Sequence, residues 1–365
     1  MNWEAQAGAA DRPFTPATSI KPATDAPRQL PFAFTGSGSE YFRIWIVNTL
    51  LTVVTLGIYS AWAKVRTLQY FYRSTRLDGA TFDYHGSPKA ILKGRAIVFV
   101  LVAAYQGVAA VSPGLSLLLA LALAVAFPFL LVRSLRFRMA NSSYRGLRFA
   151  FTGNDSEGYM VFLVWPILTM LSLYLLAPLA HQRFKRYQHN NTRFGTAPFA
   201  FDATAGAFYQ VYLMTAGMVL LLIFASGIVG GVLGGALAGG GKGAAVVLIF
   251  LAIVGMYLGL LLVAPYFQAR LQNAVWNHTT LAPHRFHSAV RPGKLFLITF
   301  TNMLLTALTM GLFYPFARVR SVRYRVESMT MVAVGQLDAF VAGQQQQVGA
   351  LGDAAVDWYD IDIAL

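Results

Sequence analysis

The stretch Phe34-Thr35-Gly36-Ser37-Gly38-Ser39-Glu40 returns 117 residues later as Phe151-Thr152-Gly153-Asn154-Asp155-Ser156-Glu157. With that spacing, residues 32–84 and 149–201 share 18 identities in 53 positions. An internal repeat has to be identified before a fold is assigned, because it sets the architecture. The sequence therefore indicates one structural unit that is used more than once.

A third copy lacks the opening stretch but keeps the remainder. Residues 42–74 match residues 296–328 at 13 of 33 positions, with a shift of 254. Each copy is mostly apolar, so the repeat is one of membrane segments. We interpret the chain as two and a half copies of that unit.

The composition points to lipid as the surrounding medium. Of the 365 residues, 56% are hydrophobic and 12% are charged, whereas a soluble domain carries about 25% charged residues. The formal net charge of +14 suggests nucleic acid as a partner, but the basic residues lie between long apolar runs and no nucleic-acid motif is present. Basic cytoplasmic loops of a membrane protein explain the charge better.

Seven apolar segments approach the length of about 20 residues that a spanning helix needs. Two pairs of them are joined by turn signals, Ser112-Pro113-Gly114 and a glycine-rich stretch that ends in Gly239-Gly240-Gly241-Lys242, and are typical of helical hairpins. We expect an all-α membrane protein with about seven apolar segments in two and a half internal repeats, with short interfacial loops or ribbons. The segments are 44–63, 96–112, 115–132, 160–180, 207–229, 244–266 and 295–317.

The chain divides into five regions on this interpretation. The first region is rich in proline and has no apolar core of a signal peptide, which is typical of a disordered cytosolic leader. No Lys or Arg follows Arg325, so the end of the chain is acidic; it is either a solvated tail, which we favour, or a partner of the basic body. The regions are the leader 1–30, repeat 1 at 31–147, repeat 2 at 148–276, partial repeat 3 at 277–328 and the acidic tail 329–365.

The basic loops carry aromatic residues two positions apart. Examples are Phe82 with Tyr84, Phe149 with Phe151, and Phe199 with Phe201. Alternation of this kind predicts short strands or an extended interfacial ribbon. The aromatic rings would then lie at the level of the lipid headgroups, with arginines facing phosphates.

The basic loops also create a topological conflict. Loops 64–95, 133–158, 181–206, 267–294 and 318–325 each carry four or more bases, so positive charge places all five in the cytoplasm. Segments 160–180 and 295–317 have such a loop on both flanks, which a single crossing does not allow. In one interpretation, the unpaired segments 44–63, 160–180 and 295–317 dip into the membrane and return. In the other, they span, and the two full repeats have opposite orientations, as in many secondary transporters. We favour spanning because of the length of these segments.

The repeat supplies candidate binding residues, each with a structural alternative. Glu40 and Glu157 follow a Ser or Asn by three residues, the spacing of a capping box, and otherwise would form a pair of cation-binding carboxylates. Each unit also has an Arg four residues before a Tyr, which serves either as an interfacial anchor or as a site for an anionic lipid or substrate. These residues are Arg66, Arg183, Arg320, Tyr70, Tyr187 and Tyr324.

Other patterns carry less chemistry. Gly227, Gly231 and Gly235 are spaced four apart, which lets helices pack closely in lipid. The chain has no cysteine, and the histidines of loop 267–294 have no Asp or Glu beside them, so we predict no metal site, no cofactor and no catalytic residue. A homo-oligomer is compatible with the glycine pattern.

Two signature-like stretches resemble a known family. They are Thr55-Leu56-Gly57-Ile58-Tyr59-Ser60-Ala61-Trp62-Ala63-Lys64-Val65-Arg66 and Met310-Gly311-Leu312-Phe313-Tyr314-Pro315-Phe316-Ala317-Arg318-Val319-Arg320. Both resemble the LGIY-x-PWAKVR signature of the YjgN family, which consists of uncharacterised polytopic bacterial inner-membrane proteins. The second repeat departs from it at Pro178-Leu179-Ala180-His181-Gln182-Arg183, which lacks the Trp and the Lys. The resemblance implies a multi-pass protein of the bacterial inner membrane and implies no activity.

Three functions remain open at this point. The first is a transporter or channel-like protein for a small or anionic solute, suggested by the repeat, the broken segments and the repeated Arg. The second is a non-catalytic membrane scaffold or a protein that binds anionic lipid headgroups. The third, a membrane enzyme on lipid substrates, is the least favoured because no catalytic constellation is present. We expect the lipid bilayer as the partner of this protein, and we do not expect nucleic acid as a partner.

Overall fold

The computed structural model describes residues 27–236 and 241–349 and contains a closed β-barrel within them. The strands are β1 Arg28–Phe34, β2 Thr75–Leu77, β3 Ala80–Tyr84, β4 Ser142–Tyr144, β5 Leu147–Phe151, β6 Thr192–Phe194, β7 Ala197–Phe201, β8 Thr279–Leu281, β9 His284–Ser288 and β10 Met329–Ala333. The prediction of an all-α fold is therefore wrong, because the aromatic loops that link the apolar segments pair with one another as strands.

Helical hairpins connect β1 to β2, β3 to β4, β5 to β6, β7 to β8 and β9 to β10. They are α1 Gly38–Val54, α2 Ser60–Ser74, α3 Pro88–Val111, α4 Pro113–Ala140, α5 Asp155–Tyr159, which continues through a π-helical segment Met160–Val164 into α6 Trp165–Leu171, α7 Ala177–Asn190, α8 Ala205–Ala236, α9 Gly241–Trp276, α10 Pro292–Leu308, α11 Tyr314–Glu327 and α12 337–349. The described chain thus holds five units of strand, helical hairpin and strand, where the sequence had indicated two and a half repeats.

The barrel is an antiparallel meander closed by pairing of its first and last strands. Each strand pairs with its neighbours in sequence, and β10 pairs with β1. The register across each helical hairpin repeats five times: Phe32↔Leu77, Phe82↔Tyr144, Phe149↔Phe194, Phe199↔Leu281 and Phe286↔Met331. Closure leaves no free strand edge among the ten described strands, and the five units are arranged around one axis.

The two ends of the barrel differ. At one end, two-residue turns connect the strands; Asp78-Gly79 and Arg145-Gly146 both have positive φ at their two residues, the geometry of a type I′ hairpin. At the other end, all five helical hairpins leave and return. We call the first end the turn end and the second the helical rim.

Three of the hairpins are short, and each corresponds to one lone apolar segment of the sequence. Segment 44–63 bends between α1 and α2, segment 160–180 bends between α6 and α7, and segment 295–317 bends between α10 and α11. Each bend has consecutive residues with positive φ, namely Leu56-Gly57, Leu173-Tyr174 and Met310-Gly311. The favoured reading, in which these segments span, is wrong: the chain returns to the rim it left, which removes the topological conflict.

The other two hairpins are long. The turn predicted at Ser112-Pro113-Gly114 separates α3 from α4, and α8 is followed by α9. Among the described residues, three helices are long and apolar enough to cross a membrane: Pro88–Val111, Pro113–Ala140 and Ala205–Val232. This finding replaces the seven spanning segments expected from hydropathy.

The barrel interior forms the largest cluster of buried apolar residues. Alternate residues of each strand point inwards and contribute aromatic and aliphatic side chains such as Leu77, Tyr144, Phe194 and Leu281. Smaller clusters lie at the base of the hairpins, for example Phe34 with Tyr41 and Val319. The barrel therefore holds the hairpin bases in fixed positions.

The C-terminal region begins inside the barrel. Residues 329–333 of the region assigned to the acidic tail form β10, and α12 then covers the turn end, with Leu337 and Val341 buried against the barrel core. Asp338 forms an ion pair with Arg145. Most of the leader, residues 1–26, and the last part of the tail, residues 350–365, lie outside the described residues.

Candidate functional site

The three repeated tyrosines fix the bases of the short hairpins. The hydroxyl of Tyr70 donates to the carbonyl oxygen of Ser37 at 2.7 Å, and that of Tyr187 donates to the carbonyl of Asn154 at 2.8 Å. Tyr324 accepts from the backbone N–H of Arg291 at 2.8 Å. In each case the partner is the N-cap of the first helix, so the tyrosine joins the end of the second helix to the start of the first.

Burial raises the pKa of two of these hydroxyls, those of Tyr70 and Tyr187. It is the main cause that brings the pKa of Tyr70 to about 12, with the charge of Glu40 as the next cause. Burial likewise raises the pKa of Tyr187 to about 12. Both hydroxyls therefore keep their proton at neutral pH and act as hydrogen-bond donors, which is a structural role.

The two repeated glutamates cap helices. Glu40 forms a capping box: its backbone N–H donates to the Ser37 hydroxyl at 3.2 Å, and its carboxylate accepts from the backbone N–H of Ser37 at 3.3 Å. The backbone N–H of Glu157 donates to the Asn154 side chain at 2.7 Å, while its carboxylate accepts from Asn191 at 3.4 Å. Each carboxylate thus lies at the base of its own hairpin, beside that hairpin's tyrosine.

The repeated arginines lie higher on the second helix of each short hairpin. Arg66, Arg183 and Arg320 are each the seventh residue of their helix, counting from Ser60, Ala177 and Tyr314. All three are exposed, and the residue before each is buried. The guanidinium groups of all three short hairpins are therefore accessible to a ligand.

In two of the short hairpins, a buried asparagine of the first helix accepts a hydrogen bond from the arginine. Asn302 accepts from Arg320 at 2.9 Å and donates to the backbone carbonyl of Ala317 at 2.9 Å. Asn48 makes the same pair of contacts with Arg66 and Ala63, each at 3.5 Å.

In the remaining short hairpin, which runs from α5 to α7, an aromatic residue occupies the position that corresponds to the asparagine. The guanidinium of Arg183 lies over the ring of Trp165, 5.8 Å from its centroid. Arg183 also lines a cleft of about 470 Å³ together with Glu157, Arg186 and Tyr187. The structure thus brings together three predicted residues of this unit, Glu157, Arg183 and Tyr187.

The long hairpins carry an equivalent arginine that the sequence analysis missed. Each of the five arginines stands nine residues before the first residue of the strand that follows its hairpin, and each follows a buried residue. The signal was present in the sequence as this constant spacing, but it becomes visible only when the strand positions are known. The set, which we call the arginine belt, is Arg66, Arg133, Arg183, Arg270 and Arg320.

The belt arginines have no acidic partner in the structure as described. The ion pairs found between side chains in residues 27–236 and 241–349 involve Arg73, Arg136 and Arg145. Arg133 and Arg270 instead lie over the rings of Phe129 and Tyr266. An exposed guanidinium with free donors can bind a phosphate or carboxylate of a ligand bidentately.

Above the belt, the short hairpins end in exposed apolar residues. Leu56 is 95% exposed, Leu173 85% and Met310 97%. These tips offer apolar surface on the same side of the barrel at three positions, a pattern that marks a membrane or protein interaction site.

The predicted packing glycines lie on α8. A side chain at Gly227 or Gly231 would meet no atom of the described residues within 4 Å, and Gly235 follows in the same helix. Within the long hairpin, Gly259 instead lies against Leu222. Close packing of another helix against Gly227, Gly231 and Gly235 stays a prediction.

Comparison with known proteins supplies a family. The profile of a family described as "Bacterial protein of unknown function (DUF898)" matches residues 29–358. "Inner membrane protein YjgN" of Salmonella typhimurium is 24% identical over 360 residues, covering 84% of this chain and 89% of its own length. The protein of that name in Escherichia coli K12 is 32% identical over 143 residues, 39% of this chain and 36% of its own. No solved structure matches the chain. The resemblance to the YjgN family is therefore confirmed.

Proposed function

We propose that this chain, which belongs to the DUF898 family of bacterial proteins of unknown function, is a non-catalytic, multi-pass protein of the inner membrane that binds anionic lipid headgroups through its arginine belt. The observation that carries the proposal is the fivefold repeat of one exposed arginine, nine residues before the strand that follows each hairpin, without a carboxylate partner in the described residues. Inner-membrane location is supported by the relatives, which carry that name.

The height of the belt matches the geometry of a membrane interface. An α-helix rises 1.5 Å per residue, so Arg66, six residues after the start of α2, lies roughly 9 Å from the helix end beside the tip. Half the hydrocarbon core of a bilayer is about 15 Å. With Arg66 at the headgroups, the exposed Leu56 lies within the hydrocarbon of one leaflet.

The long hairpins are suited to cross the membrane. The α3 and α4 helices have 24 and 28 residues, which is roughly 36 and 42 Å at the α-helical rise and exceeds the hydrocarbon thickness of about 30 Å. The α8 and α9 helices are longer. In our proposal the three apolar helices α3, α4 and α8 span, and α9 spans with them because it returns the chain from α8 to the barrel. The three short hairpins dip into one leaflet, and the barrel lies in the cytoplasm.

The charge distribution supports this orientation. All five basic loops belong to the barrel and the hairpin bases, which lie on one side of the helical hairpins. Basic loops are retained in the cytoplasm, and the cytoplasmic leaflet is the one that carries the negative surface potential. The belt therefore faces the leaflet to which it is complementary.

Lipid binding has more support than transport of an anionic solute. A solute path through the barrel axis would pass a lumen lined by apolar and aromatic side chains such as Phe82, Phe149 and Trp276. The turn end of that lumen is covered by α12. The belt arginines, by contrast, are exposed and none of them lines the lumen.

The test compares belt arginines with barrel arginines of equal charge. Arg66→Ala, Arg183→Ala and Arg320→Ala are combined in one variant. The matched control combines Arg76→Ala, Arg193→Ala and Arg285→Ala, three exposed positions on the outer face of the barrel. Both variants lose three charges, so a nonspecific electrostatic effect lowers binding in both.

Binding of phosphatidylglycerol and phosphatidylcholine to the protein in neutral micelles is then measured by native mass spectrometry. At about 1 kcal/mol per arginine near an anionic surface, each of the three altered positions in the belt variant loses roughly fivefold in affinity for phosphatidylglycerol. The control loses less than threefold, and phosphatidylcholine binding changes in neither. Equal losses in both variants, or no preference for phosphatidylglycerol in the native protein, overturn the proposal.

A further inference from the structure

We propose that the barrel lumen is a binding site for a hydrocarbon chain, distinct from the arginine belt. The lumen contains a cavity of about 230 Å³. Its wall includes one phenylalanine from each of the five units: Phe32, Phe82, Phe149, Phe199 and Phe286.

The lumen is incompletely filled by its own side chains. Four of the five phenylalanines are only half-buried although their register places them inside a closed barrel. Small barrels of eight strands are just wide enough for side chains to fill, and wider ones enclose ligands. Ten strands leave a central space that is lined by rings from every side.

The chemistry of the wall selects an apolar occupant. The hydroxyl of Tyr144, one of the few polar groups of the wall, donates to the backbone carbonyl of Leu77 at 2.8 Å, and the hydroxyl of Thr75 donates to that of Phe71 at 2.8 Å. Their protons are therefore committed to the protein itself. Water in a cavity needs two to four polar partners, and an apolar cavity of about 150 Å³ remains dry and binds benzene. The larger lumen here has room for a stretch of hydrocarbon chain.

The position of the cavity indicates the entrance. Leu337 and Phe340 of α12 line its turn end, where Gln344 fixes the helix to the barrel. Trp276 and Val326 line it at the helical rim, the end that faces the hairpins. A chain would therefore enter from the rim, whether it belongs to a membrane lipid or to a free fatty acid.

Trp276 provides a reporter inside the site. In a variant that keeps Trp276 as its single tryptophan, the residues Trp3, Trp45, Trp62, Trp165 and Trp358 are replaced by Phe. Bromine quenches tryptophan fluorescence on contact, so dibromostearic acid and a phosphatidylglycerol with dibrominated chains are titrated separately in neutral micelles. We expect saturable quenching by at least one probe, reversed by the same compound without bromine at constant micelle concentration.

The two probes distinguish the source of the chain. Quenching by the fatty acid alone assigns a free fatty acid, and quenching by the lipid assigns a membrane lipid. Quenching that is linear in probe concentration and insensitive to the unbrominated competitor reports collisions from the micelle and overturns the proposal. Absence of quenching by both probes overturns it as well.

A filled lumen provides the second arm. Leu281 is buried and lines the cavity, so Leu281→Phe, which adds volume, should reduce the saturable quenching at least fivefold, whereas Leu281→Ile should retain it. The control variant with Arg76→Ala, Arg193→Ala and Arg285→Ala should keep the quenching, because its arginines are exposed and do not line the lumen. The belt experiment measures headgroup binding and the quenching experiment measures contact with Trp276, so failure of either one leaves the other inference standing. Equal quenching in Leu281→Phe and Leu281→Ile contradicts a site in the lumen.

Discussion

Replacement of Gln344 by Leu should release α12 from the turn end of the barrel. The side-chain oxygen of Gln344 accepts three hydrogen bonds: from the backbone N–H groups of Thr196 and Ala197, both at 2.9 Å, and from the Thr196 hydroxyl at 2.7 Å. Gln344 is only 9% exposed, so in the Leu variant the docked state buries two backbone donors without a partner.

The size of the effect follows from those donors. A buried donor that loses its partner costs about 1–3 kcal/mol, so two of them weaken docking by about 2 kcal/mol at least. With tenfold for each 1.4 kcal/mol, the population of the undocked helix rises roughly 30-fold. Docking is a local equilibrium, which amide hydrogen exchange reports directly.

The measurement is hydrogen exchange across residues 337–349, with Gln344→Glu as the matched control. Glu keeps the acceptor oxygen, so its exchange should stay within about threefold of the native protein, while that of the Leu variant rises about 30-fold. Exchange in the remainder of the barrel should be unchanged in both. If the Leu variant exchanges like the Glu variant, Gln344 does not fix α12 and the reasoning is refuted.

Three further predictions concern the hairpins. Tyr187→Phe removes the hydrogen bond to the carbonyl of Asn154 and should lower the free energy of unfolding by about 1 kcal/mol, measured by thermal denaturation; an unchanged melting temperature argues against this bond as the hairpin anchor. Burial, and then the charge of Lys185, lowers the pKa of His189 to about 4 from an ordinary 6.5. Because the pKa of His189 is lower in the folded protein than in the unfolded chain, the contribution of the neutral ring to stability is complete above pH 6.5. That contribution is lost as the pH falls towards 4, by up to about 1.4 kcal/mol per pH unit. His189→Asn should flatten this pH dependence in denaturant titrations, and an equally steep curve contradicts the prediction. Asn302→Asp places a carboxylate against Arg320 and should weaken phosphatidylglycerol binding by about 1 kcal/mol, as much as Arg320→Ala; retained affinity means that Arg320 does not contact the headgroup.

Much of the candidate site was predictable because it repeats along the chain. The spacing from Arg66 to Tyr70 recurs in three copies, and the capping residues around Glu40 are local signals. The aromatic pairs such as Phe149 and Phe151 correctly indicated strands. These features depend on residues near one another in sequence.

The barrel was not predictable for the opposite reason. Its closure pairs Arg28 with Ala333, and five pairings join strands that are separated by whole helical hairpins. Strands of three to seven residues carry too little periodicity to specify such partners. The alternation indicated strands but not the sheet that they form.

Hydropathy failed at the short hairpins because their tips are apolar. A window that crosses Leu56-Gly57 or Met310-Gly311 sees one continuous apolar segment, although Gly57 and Gly311 adopt φ of 92° and 93°. In the short hairpin between α6 and α7, the residues with positive φ are Leu173 and Tyr174. Neither of them is a glycine, so the sequence carries no turn signal at that bend. Burial of the tips in lipid, as proposed, would explain why apolar residues are kept where a polar turn is usual.

We propose that the chain returns to one side of the membrane after every hairpin. The cysteine-free sequence allows single cysteines at exposed positions, of which Thr81, Arg148, Asn190 and His287 lie on the barrel side and Val111 lies at the tip of a long hairpin. An impermeant thiol reagent is applied to intact cells and again after permeabilisation. We predict that Val111→Cys is labelled in intact cells and that the other four positions are protected until the membrane is opened. Labelling of Asn190→Cys together with protection of Thr81→Cys in intact cells would place the end of α7 and strand β3 on opposite sides of the membrane. That result would contradict a single barrel on one side.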